Sequence, residues 1–199
     1  MVAIAAKRNP GLEFRAGDAE NLEFENYSFD AVVMNFGMLH LAKPEDAIDE
    51  AFRVLQPGGR YAFTVWDSPE RAKGFGIILD SIQTRGNMNV QLPAGPPFFR
   101  FSDPEETKRT LTAAGFINVQ TLQVPQVWKV ESGDELLTAF RTAAVRTAAL
   151  LNGQTSEALR KIRGEVIARA DKFRRGDALE IPMPAILTSA LRPVDPKER

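Results

Sequence analysis

The chain has 199 residues, 44% of them hydrophobic, a formal net charge of −1, one histidine and no cysteine. That length suits one domain with enough apolar material for a core. The near-neutral charge gives no electrostatic footprint for nucleic acid, the lack of cysteine excludes disulfides, thiolate metal sites and a cysteine nucleophile, and a single histidine excludes a multi-histidine metal site.

Taken in order, Met1 to Arg8 reads as the end of a helix, with Lys7 and Arg8 at its C-terminus and Asn9-Pro10-Gly11 as the breaker. Leu12 to Ala16 alternates as a strand, and Gly17 to Leu22 follows as a loop. Glu25 to Ser28 turns into Phe29–Phe36, an apolar run with β-branched residues that reads as a fully buried strand. Gly37 to Leu41 is a loop carrying His40. Pro44 opens a helix, Glu45 and Asp46 suit its dipole, and Ala47, Ile48, Ala51, Phe52 and Leu55 form one apolar face. Gln56-Pro57-Gly58-Gly59 stops it, and Arg60 to Trp66 is a second strand. A strand–helix–strand unit of this length implies a right-handed crossover and a parallel sheet.

Ser68 and Pro69 read as the N-cap and first residue of a helix running to about Thr84. Gly86 to Phe101 is irregular, and its Pro96–Phe101 stretch holds three aromatics in the manner of a lid. Another helix begins around Ser102 to Glu106 and ends at Gly115, and Ile117 to Val127 alternates as a strand. Ser132-x-x-Glu135 is a capping box that opens a helix ending at Asn152-Gly153, and a further helix starts near Ser156. Ile186 to Leu191 is the last strand, placed by Pro182 and Pro184 to start at an edge, and the tail from Pro193 is expected to fray. No apolar run approaches a membrane span. Lys7 and Arg8 follow the apolar N-terminal residues, the wrong order for a signal peptide, so a cytoplasmic protein is expected.

In an open parallel sheet, ligands bind beyond the carboxyl ends of the strands. Three such ends are Gly17-Asp18-Ala19, Asn35-Phe36-Gly37 and Trp66-Asp67. A carboxylate after a strand, beside a small residue, can accept from an exocyclic amine while the neighbouring N–H donates to a ring nitrogen, although on spacing alone a plain turn is the ordinary reading of a Gly-Asp pair. His40 has the residue type for a general base, its ordinary pKa being about 6.5, and a hydrogen-bonded loop histidine is the competing reading. Asp67 either orients a substrate or caps a helix. Trp66 is a core residue or a face for a cation, and Asn35 donates to a ligand or satisfies a loop carbonyl.

The order Gly-Asp-Ala-Glu-Asn-Leu, Ser-Phe-Asp-Ala-Val, His-Leu and Glu-Ala-x-Arg-Val-Leu-x-Pro-Gly-Gly, from Gly17 to Gly59, resembles the class I S-adenosylmethionine-dependent methyltransferases, in particular the ubiquinone/menaquinone-biosynthesis group. The resemblance extends from about Met1 to Val124. It implies a Rossmann-like α/β sheet of order 3-2-1-4-5-7-6, with a helical insertion before the last strand. It implies S-adenosylmethionine as cofactor, no metal and a small-molecule methyl acceptor. It assigns Gly17, Asp18 and Ala19 to the adenine and Asn35 and Phe36 to the methionine end, while His40 is the candidate base by its residue type alone. The expected division is a methyltransferase core over 1–131, a helical substrate cap over 132–175, and the last strand and tail over 176–199. The family's acidic-x-Gly-x-Gly-x-Gly strand and loop has no counterpart here, because Met1 falls in the helix after the family's second strand; the sheet is therefore expected to be N-terminally truncated. Two alternatives follow: a non-catalytic remnant, or a subunit completed by a partner chain or a second copy. Nucleic acid and membrane are not expected as partners.

Overall fold

The computed structural model describes residues 2–92 and 95–194. In chain order the elements are α1 (Val2–Arg8), β1 (Phe29–Asn35), α2 (Pro44–Val54), β2 (Leu55–Trp66), α3 (Lys73–Arg85), α4 (Pro104–Ala113), β3 (Ile117–Val124), β4 (Val127–Val130), α5 (Gly133–Ala143), α6 (Val145–Asn152), α7 (Ser156–Ala170), β5 (Arg174–Arg175), β6 (Ala178–Pro182) and β7 (Ala185–Leu191). The main sheet has the order β1-β2-β7-β3, and a second sheet has the order β4-β6-β5. β1 pairs parallel with β2, whereas β7 runs antiparallel to both β2 and β3. This is the 4-5-7-6 part of the order that the resemblance implies, with the reversed strand lying between its neighbours.

One face of β2 alternates inward through Tyr61, Phe63 and Val65. It packs with Ile48 and Ala51 of α2, Leu111 of α4, and Ile186 and Ala190 of β7. Each fully buried side chain of this size contributes roughly 1.5–3 kcal/mol. A second core joins Phe75, Ile78 and Ile82 of α3 to Leu136 and Phe140 of α5, Ile162 and Val166 of α7, and Leu179 and Ile181 of β6. Trp66 and Phe98 pack against both cores, so an aromatic seam runs between them.

The other face of the main sheet is open. Val33 is 79% exposed and Leu122 is 62% exposed. β1 is therefore an edge strand and not the fully buried strand expected for Phe29–Phe36: it pairs only through its β2 side, and no described strand lies on its outer side. Leu12 to Ala16 forms no strand. A lone extended segment has no ladder to hold it, and these residues find none. β7 is central despite Pro184 just before it, because that proline lies outside the paired register and Pro182 belongs to β6.

Three further boundaries differ. The helix expected from Ser68 begins at Lys73, because a tight turn returns the Arg71 and Ala72 N–H groups to the Ser68 carbonyl first. The helix expected from Ser132 to Gly153 is two helices, broken at Ala144, whose ψ of 98° is extended. The strand expected over Ile117–Val127 ends at Val124, and β4 leaves for the second sheet. Ser132 does cap α5, accepting from the Glu135 N–H at 3.2 Å. Residues 195–199 of the expected frayed tail lie outside the described residues.

Candidate functional site

The carboxyl ends of β1 and β2 meet at one place. β1 ends at Asn35, opposite Thr64 in the parallel register. The Thr64 hydroxyl donates to Asn35 Oδ1 at 2.6 Å and accepts from the Phe36 N–H at 3.0 Å. The Asn35 amide N–H groups make no hydrogen bond among the described residues, which leaves them as donors. Phe36 turns the chain with φ of 51°, a left-handed conformation that costs a non-glycine residue about 1–2 kcal/mol. Its ring stacks on Trp66 at 4.3 Å, which offsets part of that strain. Trp66 in turn meets Trp128 and Phe75 edge-on or tilted at 5.6 and 5.9 Å.

His40 closes a short 3-10 turn, Met38–His40, and meets the Phe98 ring edge-on at 6.2 Å. Partial burial lowers its pKa below 6.5, so the imidazole is neutral and able to accept a proton at neutral pH. Asp67 is fully buried. Its carboxylate accepts from the Ser68 N–H at 2.7 Å, from Arg71 Nη1 at 3.3 Å and from Gln123 Nε2 at 2.6 Å. Those partners occupy it, and they tie β2 to β3 and to the turn before α3.

Gly17, Asp18 and Ala19 stand on a different part of the molecule. Asp18 Oδ1 accepts from the Glu20 N–H at 2.9 Å, which folds the loop on itself. Gly17 and Ala19 help to line a hollow of about 560 Å³, walled by Leu22, Phe24 and Phe29 and rimmed by Glu13 and Arg15. Asn35 lines a separate hollow of about 130 Å³ on the open sheet face. No described hydrogen bond joins the Asp18 loop to Asn35 or Phe36. Asp18 is not among the residues that line the larger hollow, so the chain offers a loop carboxylate next to Gly17 and Ala19 and, separately, an Asn35 amide donor next to Phe36 in the chain. The donor set fits the two ends of S-adenosylmethionine. Among the described residues there are no groups of His, Cys, Asp and Glu able to hold a metal, and no helix is long and apolar enough to cross a membrane.

Thr64, Gln123, Glu50 and Arg53 escaped the sequence reading. Thr64 lies opposite Asn35 in register. Glu50 and Arg53 were visible as an i,i+3 pair within Glu-Ala-x-Arg-Val-Leu.

A family described as "methyltransferase domain" matches residues 1–63. Over 127 residues, 59% of the chain, the sequence is 43% identical to the ubiquinone/menaquinone biosynthesis C-methyltransferase UbiE of Roseobacter denitrificans, covering 51% of that protein. Over 120 residues it is 49% identical to the mitochondrial 2-methoxy-6-polyprenyl-1,4-benzoquinol methylase of Danio rerio, with 55% of this chain and 36% of that one covered. A demethylmenaquinone methyltransferase of Paenarthrobacter aurescens is 39% identical over 69 residues, 35% of this chain and 27% of the relative. The chain thus spans between about a quarter and a half of the length of these curated relatives. Among solved structures, the YcgJ protein of Bacillus subtilis superposes with a TM-score of 0.55 at 19% identity, over 98% of this chain and 79% of that one; this likeness concerns the fold. The match over residues 1–63, the relatives and the mixed α/β sheet together make this chain similar to the class I S-adenosylmethionine-dependent methyltransferases, whose cofactor is S-adenosylmethionine.

Proposed function

We propose that this chain binds S-adenosylmethionine through two half-sites and serves methyl transfer to a small apolar acceptor in the cytoplasm. The observation that carries the reading is the pairing of the Gly17–Ala19 loop and its hollow with the free Asn35 amide at the end of β1. Asp18 and Ala19 hold the adenine edge, and Gly17 lets the backbone approach it. Asn35 donates to the carboxylate of the methionine end, against the Phe36 ring. When bound, the cofactor supplies an electrophilic methyl on a sulfonium. The chain's own contribution is mostly positioning of the acceptor. Trp66, Trp128 and Phe98, partly buried against the second core, are the aromatic faces offered to it. His40, whose pKa desolvation holds below 6.5, takes the acceptor's proton. The demethylmenaquinone and benzoquinol printed in the names of two relatives support a ring as that acceptor.

The test is calorimetric titration of the purified chain with S-adenosylhomocysteine. Micromolar binding that is lost in Asp18→Ala is the expected result. Absence of heat from a chain shown by circular dichroism to be folded refutes the reading.

A second reading is favoured by the open β1 edge and the exposed Val33 and Leu122. An unpaired edge and a bare apolar face both invite cover. On this reading the site functions once another polypeptide, or a second copy, supplies the neighbouring strand. Light scattering during size-exclusion chromatography checks it: a stable monomer that binds the cofactor product alone refutes it.

A further inference from the structure

The loop from Gly17 to Asn26 has no regular structure beyond a single bridge between Asp18 and Asn21. Such a stretch is held by what its backbone groups bond to. Here most of the partners come from α2 and the residue before it. Glu50 Oε2 accepts from the Leu22 N–H at 2.6 Å, and Arg53 Nη2 donates to the Leu22 carbonyl at 2.9 Å. Both backbone groups of Leu22 are thereby paired with side chains, as a neighbouring strand would pair them. Arg53 Nη1 donates to the Phe24 carbonyl at 2.7 Å and to Asn26 Oδ1 at 2.9 Å. The two side chains also lock each other: Arg53 Nε and Nη2 donate to Glu50 Oε1 and Oε2 at 2.7 and 2.8 Å. Their side chains are only 32% and 18% exposed. A third tie runs from the Lys43 N–H, just before α2, to Glu20 Oε1 at 2.9 Å.

From this geometry we infer that Glu50 and Arg53 are positioning residues for the adenine half-site: the interlocked pair sets the conformation of the 17–26 loop and thereby the affinity for the nucleoside end of the cofactor. The inference rests on the proposed function for its second half, while the loop's order is independent of it. Arginine is required because its planar fork serves five acceptor atoms on four residues at once, which a lysine point charge cannot do. Glu50 must be ionised to accept from both the guanidinium and the amide, and the hydrogen bonds from Arg53 hold its pKa below the ordinary 4.5.

The experiment compares the wild-type chain with Arg53→Lys and Glu50→Gln, both chosen to keep side-chain length and fold. Amide hydrogen exchange is read at residues 20–27, with the β2 amides as an internal control, alongside calorimetric titration with S-adenosylhomocysteine. The expected result is at least tenfold faster exchange in the loop at unchanged β2 protection, with tenfold or more weaker binding in both variants. Unchanged loop exchange overturns the inference. So does faster loop exchange with wild-type affinity. If the wild-type chain binds no S-adenosylhomocysteine, the proposed function falls, and the loop exchange still decides whether the pair orders the loop.

Discussion

Arg192 follows β7 and reaches back across the sheet to the end of α2. Its Nη1 donates to the carbonyls of Phe52, Arg53 and Leu55, the last two at 3.2 and 2.8 Å. Its guanidinium lies 4.4 Å from the Tyr27 ring and 4.4 Å from the Phe52 ring. A cation at the C-terminus of a helix satisfies carbonyls that have no intrahelical donor and complements the dipole. One nitrogen cannot count three times, so the bonds together are worth one charge-assisted hydrogen bond, about 1.5–3 kcal/mol. Two cation–π contacts add about 0.5–1 kcal/mol each at half-exposed sites. Fixing a long side chain offsets up to about 2 kcal/mol. Arg192→Met, which keeps the aliphatic stem, is therefore expected to cost about 0.5–3 kcal/mol. For a domain of this size that lowers Tm by about 1–12 °C. Urea denaturation at constant m is the assay, since an unchanged slope shows that only stability moved. Arg192→Lys is expected to fall between wild type and Met, retaining charge without the stacked plane. A loss below about 0.5 kcal/mol for Arg192→Met, the size of an ordinary surface change, refutes the reasoning.

A Cβ added at Gly133 would meet the Ile167 Cα at 2.7 Å, so Gly133→Ala forces α5 off α7 and should cost about 1–3 kcal/mol by thermal denaturation. Gly164, exposed within α7 with nothing within 4 Å of an added Cβ, should give the opposite sign: Gly164→Ala stabilises by about 0.5–1 kcal/mol in the same assay. The Tyr61 hydroxyl is buried with no hydrogen-bond partner, so Tyr61→Phe is expected to be neutral or to raise the urea midpoint. The His40 pKa is lowered in the folded chain, so the unfolded chain binds more protons just below pH 6.5 and stability falls as the pH drops from there toward the folded value. Urea midpoints across that window should flatten in His40→Gln, and an identical profile in the variant removes His40 as the cause.

Local chemistry told where elements begin more reliably than what surrounds them. Pro44 at the start of α2, Ser132 before α5 and the Gly115 turn after α4 act through their own backbone, and each stands where the residues indicate. The apolar run Phe29-Asp30-Ala31-Val32-Val33-Met34-Asn35 specifies a strand, but burial on both faces depends on neighbours that the run does not encode. Val33 shows the difference at 79% exposure. The break at Ala144 has no glycine or proline to announce it. It follows from tertiary demands: Phe140 of α5 and Leu150 and Leu151 of α6 all reach one core, and Arg146 at the start of α6 donates to the Pro96 carbonyl at 2.6 Å.

The candidate site shows the same division. Asn35 stands out as a chemistry-bearing residue at a strand end, and Asp18 and His40 stand out in the connections. What holds Asn35 and the loop of Asp18 does not stand out, because it comes from far along the chain: Thr64 is 29 residues beyond Asn35, and Arg53 is 31 residues beyond Leu22. The motif Glu-Ala-x-Arg-Val-Leu therefore has a physical reason that its spacing alone conceals. Its alanine, valine and leucine face the core, its glutamate and arginine hold the loop that carries Asp18, and the carbonyls at its end receive Arg192. The last turn of α2 is thus the point at which the 17–26 loop, the hydrophobic core and the end of the central strand β7 are joined, and a substitution there acts on all three together.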